Sequence, residues 1–77
     1  PIADFALSNM PYAKNTDISD RTLNGTILLV MAGKMTLEAR QQKLTLKQGQ
    51  AAFIEADTDY RVHGMQEGYA VLAGLPL

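Results

Sequence analysis

One histidine, no cysteine and eight carboxylates make up the stock of proton-transfer and metal-ligating side chains in these 77 residues. Transition-metal sites usually draw on two or more imidazoles or thiolates, which His63 alone cannot supply. His63 is read as a strand residue near a turn, partly exposed or hydrogen-bonded. Glu55, Asp57 and Asp59 form the densest carboxylate cluster, the pattern that a cation site or an acid/base pair would need. Their loop lacks the mid-loop Gly and closing Glu of a calcium-binding loop. They are read as solvated acids whose mutual repulsion is screened by water and salt. Ser8 and Ser19 have no nearby base pattern to activate a nucleophile. No Gly-rich phosphate loop is present. Tyr12, Tyr60 and Tyr69 read as amphipathic packing residues, not as a stacking platform. The expected catalytic, cofactor-binding and metal-ligating sets of this segment are therefore all empty.

Composition sets the frame for those residues. Hydrophobic residues make up 47% and charged residues 19%, a globular balance rather than a disordered one. Seven Lys and Arg against eight Asp and Glu give a net charge of −1, and the basic residues are spread out. That balance argues against nucleic acid as a partner. The absence of cysteine excludes a disulfide scaffold and a thiolate metal site. The longest apolar run, Ile27 to Ala32, is far short of the roughly 20 residues of a membrane span. No basic start leads into an apolar secretory segment. The expectation is a soluble, cytoplasmic chain with no membrane partner. A chain this short buries only about 60% of its unfolded surface, so it is expected to lean on a partner chain or on the rest of a longer protein.

The elements that must position these residues read as strands. Asp4 to Met10 alternates loosely and is ended by Pro11, which cannot donate to a ladder. The segment 12–23 is polar and aperiodic, with turn chemistry at Asn15-Thr16-Asp17 and Ser19-Asp20, and holds at most a short helix. Asn24-Gly25 is a strong turn signal. Thr26 to Ala32 is a continuous apolar run, suited to a strand buried on both faces. Gly33-Lys34 turns the chain. Met35, Leu37 and Ala39 then alternate with polar residues, a turn follows at Gln41-Gln42, and Leu44 and Leu46 alternate in the same way. This predicts a hairpin with one oily and one charged face. Further strands are expected at Ala51 to Ile54, Tyr60 to His63 and Tyr69 to Ala73, with turns at 47–50 and 64–68. No sustained helical period appears. About seven short strands at this spacing predict an all-β sandwich or barrel in one domain spanning residues 1–77.

Gly33-Lys34-Met35 has some likeness to the lysine turn of biotin and lipoyl carriers, but that turn is Met-Lys-Met. A Gly before Lys at a hairpin is an ordinary turn pair. Two longer stretches carry a stronger resemblance. Ile27-Leu28-Leu29-Val30-Met31-Ala32-Gly33-Lys34-Met35-Thr36-Leu37 is a hydrophobic strand passing through Gly33. Leu44-Thr45-Leu46-Lys47-Gln48-Gly49-Gln50-Ala51-Ala52-Phe53-Ile54-Glu55-Ala56 is similar to a Leu-x-x-Gly-Asp … Phe-Ile-Pro-Ala segment. Together they resemble the cupins, small jelly-roll barrels. Laid on the second cupin motif from Gly49, the Pro position is Glu55, the Gly position Asp57, the metal-binding His position Tyr60 and the Asn position Gly64. In the first motif the Glu position falls on Thr26, and the His-x-His pair falls near Ser19 to Thr22, where there is no His. The resemblance implies a cupin-like jelly-roll barrel emptied of its metal.

A narrower resemblance rests on Asp4-Phe5-Ala6-Leu7-Ser8, the Asn24-Gly25 turn, Ile27 to Leu29, the Gln48-Gly49 turn and Phe53-Ile54-Glu55-Ala56. These look like the C-terminal domain of type I mannose-6-phosphate isomerases. In that family an N-terminal cupin region carries zinc and the catalytic residues, and the C-terminal cupin-like domain carries no ligands and ends soon after its last strand. The resemblance implies a parent enzyme that interconverts mannose 6-phosphate and fructose 6-phosphate. The remainder of that chain would be the partner, and zinc would belong to the parent. This segment would have no catalysis of its own. Two alternatives stand beside it: a free-standing metal-free cupin module for a small polar ligand in the barrel mouth, and a structural domain of another two-cupin protein.

Overall fold

The computed structural model describes residues 6–75. They form six strands: β1 (Ala6–Tyr12), β2 (Asp17–Arg21), β3 (Thr26–Ala39), β4 (Gln42–Lys47), β5 (Ala51–Ile54) and β6 (Asp59–Gly74). All pairings are antiparallel. The all-β expectation holds, but the seven short strands become six: two pairs of them fuse, and β2 is added. Gly33-Lys34 is not a turn. It lies inside β3, where the register against β6 shifts between Val30 and Met35. The proposed 64–68 turn likewise lies inside β6. Two long strands bent at these places serve two layers. The first half of β3 and the second half of β6 pair with β5 and β1. The second half of β3 and the first half of β6 pair with β4 and β2. The layers are thus β1-β6-β3-β5 and β2-β6-β3-β4.

The bends need glycine. A Cβ on Gly68 would overlap the Ala32 carbonyl oxygen and lie 2.8 Å from Gly33 Cα, and one on Gly64 would overlap the Ala13 carbonyl oxygen. Gly33 has φ of +84° and would place a Cβ 2.5 Å from the Glu67 carbonyl oxygen. Both reasons exclude a side chain there.

Other differences are local. β2 occupies part of the segment read as irregular. β1 runs through Pro11 to Tyr12, which is tolerated because β1 is an edge strand. The start of the first predicted strand, Asp4 and Phe5, lies outside the described residues. The β3–β4 hairpin forms as expected, but its turn is Arg40-Gln41, one residue before the expected Gln41-Gln42, and φ values of 48° and 65° there suit a two-residue hairpin loop.

Alternation sets the core. Leu28, Val30, Met35 and Val62 are fully buried, joined by Met10, Tyr12, Leu37, Leu46, Ile54, Tyr60, Ala70 and Leu72. These side chains come from both layers and fill the space between them. The outer faces differ. The outer face of the second layer bears Asp17, His63, Arg61, Glu38 and Lys43. The outer face of the first is apolar and open, so Thr26 to Ala32 is not buried on both faces: Ile27 and Met31 are each 40% exposed.

Candidate functional site

The barrel interior is where a cupin-like metal would sit, and the motif positions can be followed there one by one. Tyr60, at the histidine position, is buried in the core cluster. Burial first, and then the nearby Asp20 charge, raise its phenol above the ordinary value of 10.0. Thr26, at the glutamate position, is buried and donates its hydroxyl to the Asn24 carbonyl at 2.8 Å. Gly64, at the asparagine position, packs its backbone on Ala13. Thr22 lies where the His-x-His pair would end. Its hydroxyl donates to the Glu55 carbonyl at 2.6 Å and accepts from the Thr58 amide at 3.0 Å. Among the described residues no group of three or more His, Cys, Asp or Glu is placed to hold a metal. An interior of Leu, Val and Met offers no ligand set, so these residues do not fit the metal that a cupin-like barrel implies.

His63 faces outward instead. Its Nδ1 is 2.7 Å from Asp17 Oδ1, across the β2–β6 pair, and both side chains are about half exposed. No hydrogen bond links it to Ser8 or Ser19 among the described residues. Lys34 does not crown a hairpin, as a carrier lysine would. It pairs within the sheet with Lys47 and Gln66.

The carboxylate cluster becomes a different object from the one expected. Asp57 and Asp59 are not merely screened by water, because Arg21 reaches both. Its Nη2 is 2.6 Å from Asp57 and its Nη1 is 3.0 Å from Asp59. These hydrogen bonds, more than the charges alone, raise the Arg21 guanidinium above its ordinary value. Glu55 meets Arg40 at 3.1 Å, and Arg61 pairs with Glu38. Sequence reading missed Arg21 and Arg40. The available signal was three acids in one loop with no local cation, which calls for remote partners.

These pairs border an open cleft of about 750 Å³ at one end of the barrel. Arg21, Arg40 and Arg61 are matched there by Asp20, Glu38 and Asp59. The walls are thus charge-balanced and select strongly for neither anions nor cations. Tyr60 adds an aromatic edge. Ser19 is also in the wall, without an activating base. Of the other tyrosines, Tyr12 is buried and donates to the Ala32 carbonyl at 2.8 Å, and burial raises its phenol above the ordinary value. Tyr69 lies on the open outer face of the first layer.

No protein-family profile matches the chain. An uncharacterized protein of Haemophilus influenzae is 50% identical to it over 46 residues, which is 60% of this chain and the whole of that protein. Among solved structures, a cupin superfamily protein from Desulfitobacterium hafniense matches 97% of this chain and 70% of its own, with a TM-score of 0.84 at 14% identity. An RmlC-like cupin from Shewanella frigidimarina matches 96% of this chain and 68% of its own, with a TM-score of 0.82 at 12% identity. The chain belongs to the family of the Haemophilus protein and has the cupin fold.

Proposed function

We propose that the chain is a non-catalytic accessory domain, the C-terminal cupin-like domain of a mannose-6-phosphate isomerase. The observation that carries this reading is a cupin barrel whose metal-ligand positions hold Thr26, Tyr60 and the His-free stretch from Ser19 to Thr22, and whose interior is filled by apolar side chains. Such a barrel supports packing, not chemistry. The step to this isomerase rests on the sequence resemblance from Asp4 to Ala56. Expression of the complete natural gene tests it. The expected product carries a Gln-x-His pair and a Lys-Pro-Glu segment upstream, and it interconverts mannose 6-phosphate and fructose 6-phosphate. Stoichiometric zinc on these 77 residues alone, or turnover by them, would overturn the accessory role.

A second reading is favoured by the cleft of about 750 Å³ at the barrel end. It is a free-standing cupin module holding a small polar ligand. The balanced walls suit a neutral or zwitterionic molecule over an ion. A gene beginning immediately before Pro1, with saturable binding that Arg21→Ala abolishes, would select this reading over the first.

A further inference from the structure

Tyr60 brings an unused polar group to the wall of the arginine cleft. The residue is only 7% exposed, and its ring packs in the core. A buried phenol normally finds a hydrogen-bond partner. Among the described residues the Tyr60 hydroxyl has none, yet no fully enclosed side-chain oxygen or nitrogen lacks one, so this hydroxyl opens to the cleft. Register sets Asp20 of β2 directly across from Tyr60 of β6, with Ala39 of β3 on the other side.

Counted by residue the wall is charge-balanced, but the pairing is uneven. Arg21 is held by Asp57 and Asp59, Arg40 by Glu55, and Arg61 by Glu38. Asp20 pairs with no cation among the described residues. One of its oxygens accepts the Arg21 backbone amide at 2.7 Å, and the other accepts nothing. The guanidiniums also keep spare donors. Arg61 gives one nitrogen to Glu38, while Arg40 gives Nε to Thr58 and Nη1 to Glu55. A carboxylate can reach their remaining N–H groups without displacing those partners. A bare cation would instead sit beside three guanidiniums, and a bare anion would meet Asp20.

We infer that the cleft takes a small zwitterion, its ammonium held by Asp20 and the Tyr60 hydroxyl and its carboxylate by the spare N–H groups of Arg40 and Arg61. The inference rests on the free-standing-module reading and narrows the ligand class of that reading. The packed Tyr60 ring and the β2–β6 pairing hold the ammonium end in place before any ligand arrives, which lowers the ordering cost of binding.

Residue-by-residue NMR titration of the isotope-labelled chain tests this with four probes of similar length: 4-aminobutyrate, butylammonium, butyrate and butane-1,4-diol. The expected result is saturable shifts at Asp20, Tyr60 and Arg40, with 4-aminobutyrate binding several-fold more tightly than the other three. Asp20→Asn, which changes an exposed carboxylate only, is expected to weaken that binding at least several-fold, and Tyr60→Phe to weaken it less. Asp17→Asn, on the outer face, is the reference and is expected to leave it unchanged. Equal binding of butylammonium, butyrate or the diol would overturn the inference, as would binding that Asp20→Asn leaves intact or the absence of saturable shifts with 4-aminobutyrate. The extent of the natural gene is read separately. Saturation of the cleft by the diol or by butyrate alone refutes the zwitterion and keeps the module reading. Tight 4-aminobutyrate binding by a chain whose gene runs on upstream of Pro1 refutes the free-standing module and keeps the zwitterion site.

Discussion

Three glycine-to-alanine substitutions separate the two reasons for glycine in this fold. Gly49 has φ of +86° and nothing within 4 Å of an added Cβ, so Gly49→Ala reports conformation alone. A left-handed residue with a side chain costs about 1 kcal/mol. Gly68 has no positive φ, but its Cβ would overlap the Ala32 carbonyl oxygen and lie 2.8 Å from Gly33 Cα. Both are backbone atoms and cannot rotate away. Restoring ordinary contact requires β3 and β6 to part by about 1.5 Å, which takes nearby ladder bonds beyond hydrogen-bonding range. Losing two or three of them at about 1 kcal/mol each gives roughly 3 kcal/mol for Gly68→Ala. Gly33 carries both penalties, so Gly33→Ala should cost at least as much. A domain of this length is stable by roughly 4–12 kcal/mol, so Gly49→Ala stays folded while the other two approach the threshold. Urea unfolding followed by far-ultraviolet circular dichroism measures the order. Gly68→Ala within about 1 kcal/mol of the parent, or Gly49→Ala costing more than Gly68→Ala, would refute a steric origin for the bends.

Three further outcomes are expected. Thr22→Val removes the group that accepts the Thr58 amide and donates to the Glu55 carbonyl inside the protein, and should lower urea-unfolding stability by about 1–3 kcal/mol. Arg21→Ala breaks two ion pairs between exposed groups and should change stability by less than about 1 kcal/mol, with the effect shrinking further in salt. Tyr60 has its folded pKa raised by burial and by Asp20, so above pH 10 the unfolded chain releases its proton first. Its contribution to stability is whole below that pH and is lost as pH climbs through the higher folded value. Tyr60→Phe should therefore flatten the alkaline decline in melting temperature.

The inner faces were legible because burial on one side leaves a period of two. Met35 and Leu37 in β3, and Leu46 in β4, could be assigned to the core from alternation alone. β2 was not legible, because only Ile18 of its five residues is even half-buried, and the strand is held by backbone pairing with β6. Fusion of the short strands was hidden for another reason. Gly33-Lys34 and 64–68 have turn composition, and what makes them bends is the close approach of β3 to β6, residues distant in sequence. The ion pairs escaped on the same ground, since Arg21 and Asp57 are brought together only by the fold. The motif positions could be read before any coordinates were known, because they depend on spacing and residue type.

The contrast between the two outer faces links the barrel's chemistry to its role. A cupin-fold barrel can use its interior for ligands, or it can fill that interior and gain packing. Here Leu28, Val30, Met35 and Val62 take the space, so recognition must use the outside. On the second layer, cross-strand pairs such as Arg61–Glu38 and His63–Asp17 already satisfy one another in water. Such a face needs no cover. On the first layer, Phe53 and Leu7 make the same register contacts as their inward neighbours but meet solvent. A sheet apolar on both sides is the pattern of an internal layer. The sequence reading of Thr26 to Ala32 as a strand buried on both faces therefore fails on that outer side, where Ile27 and Met31 are each 40% exposed.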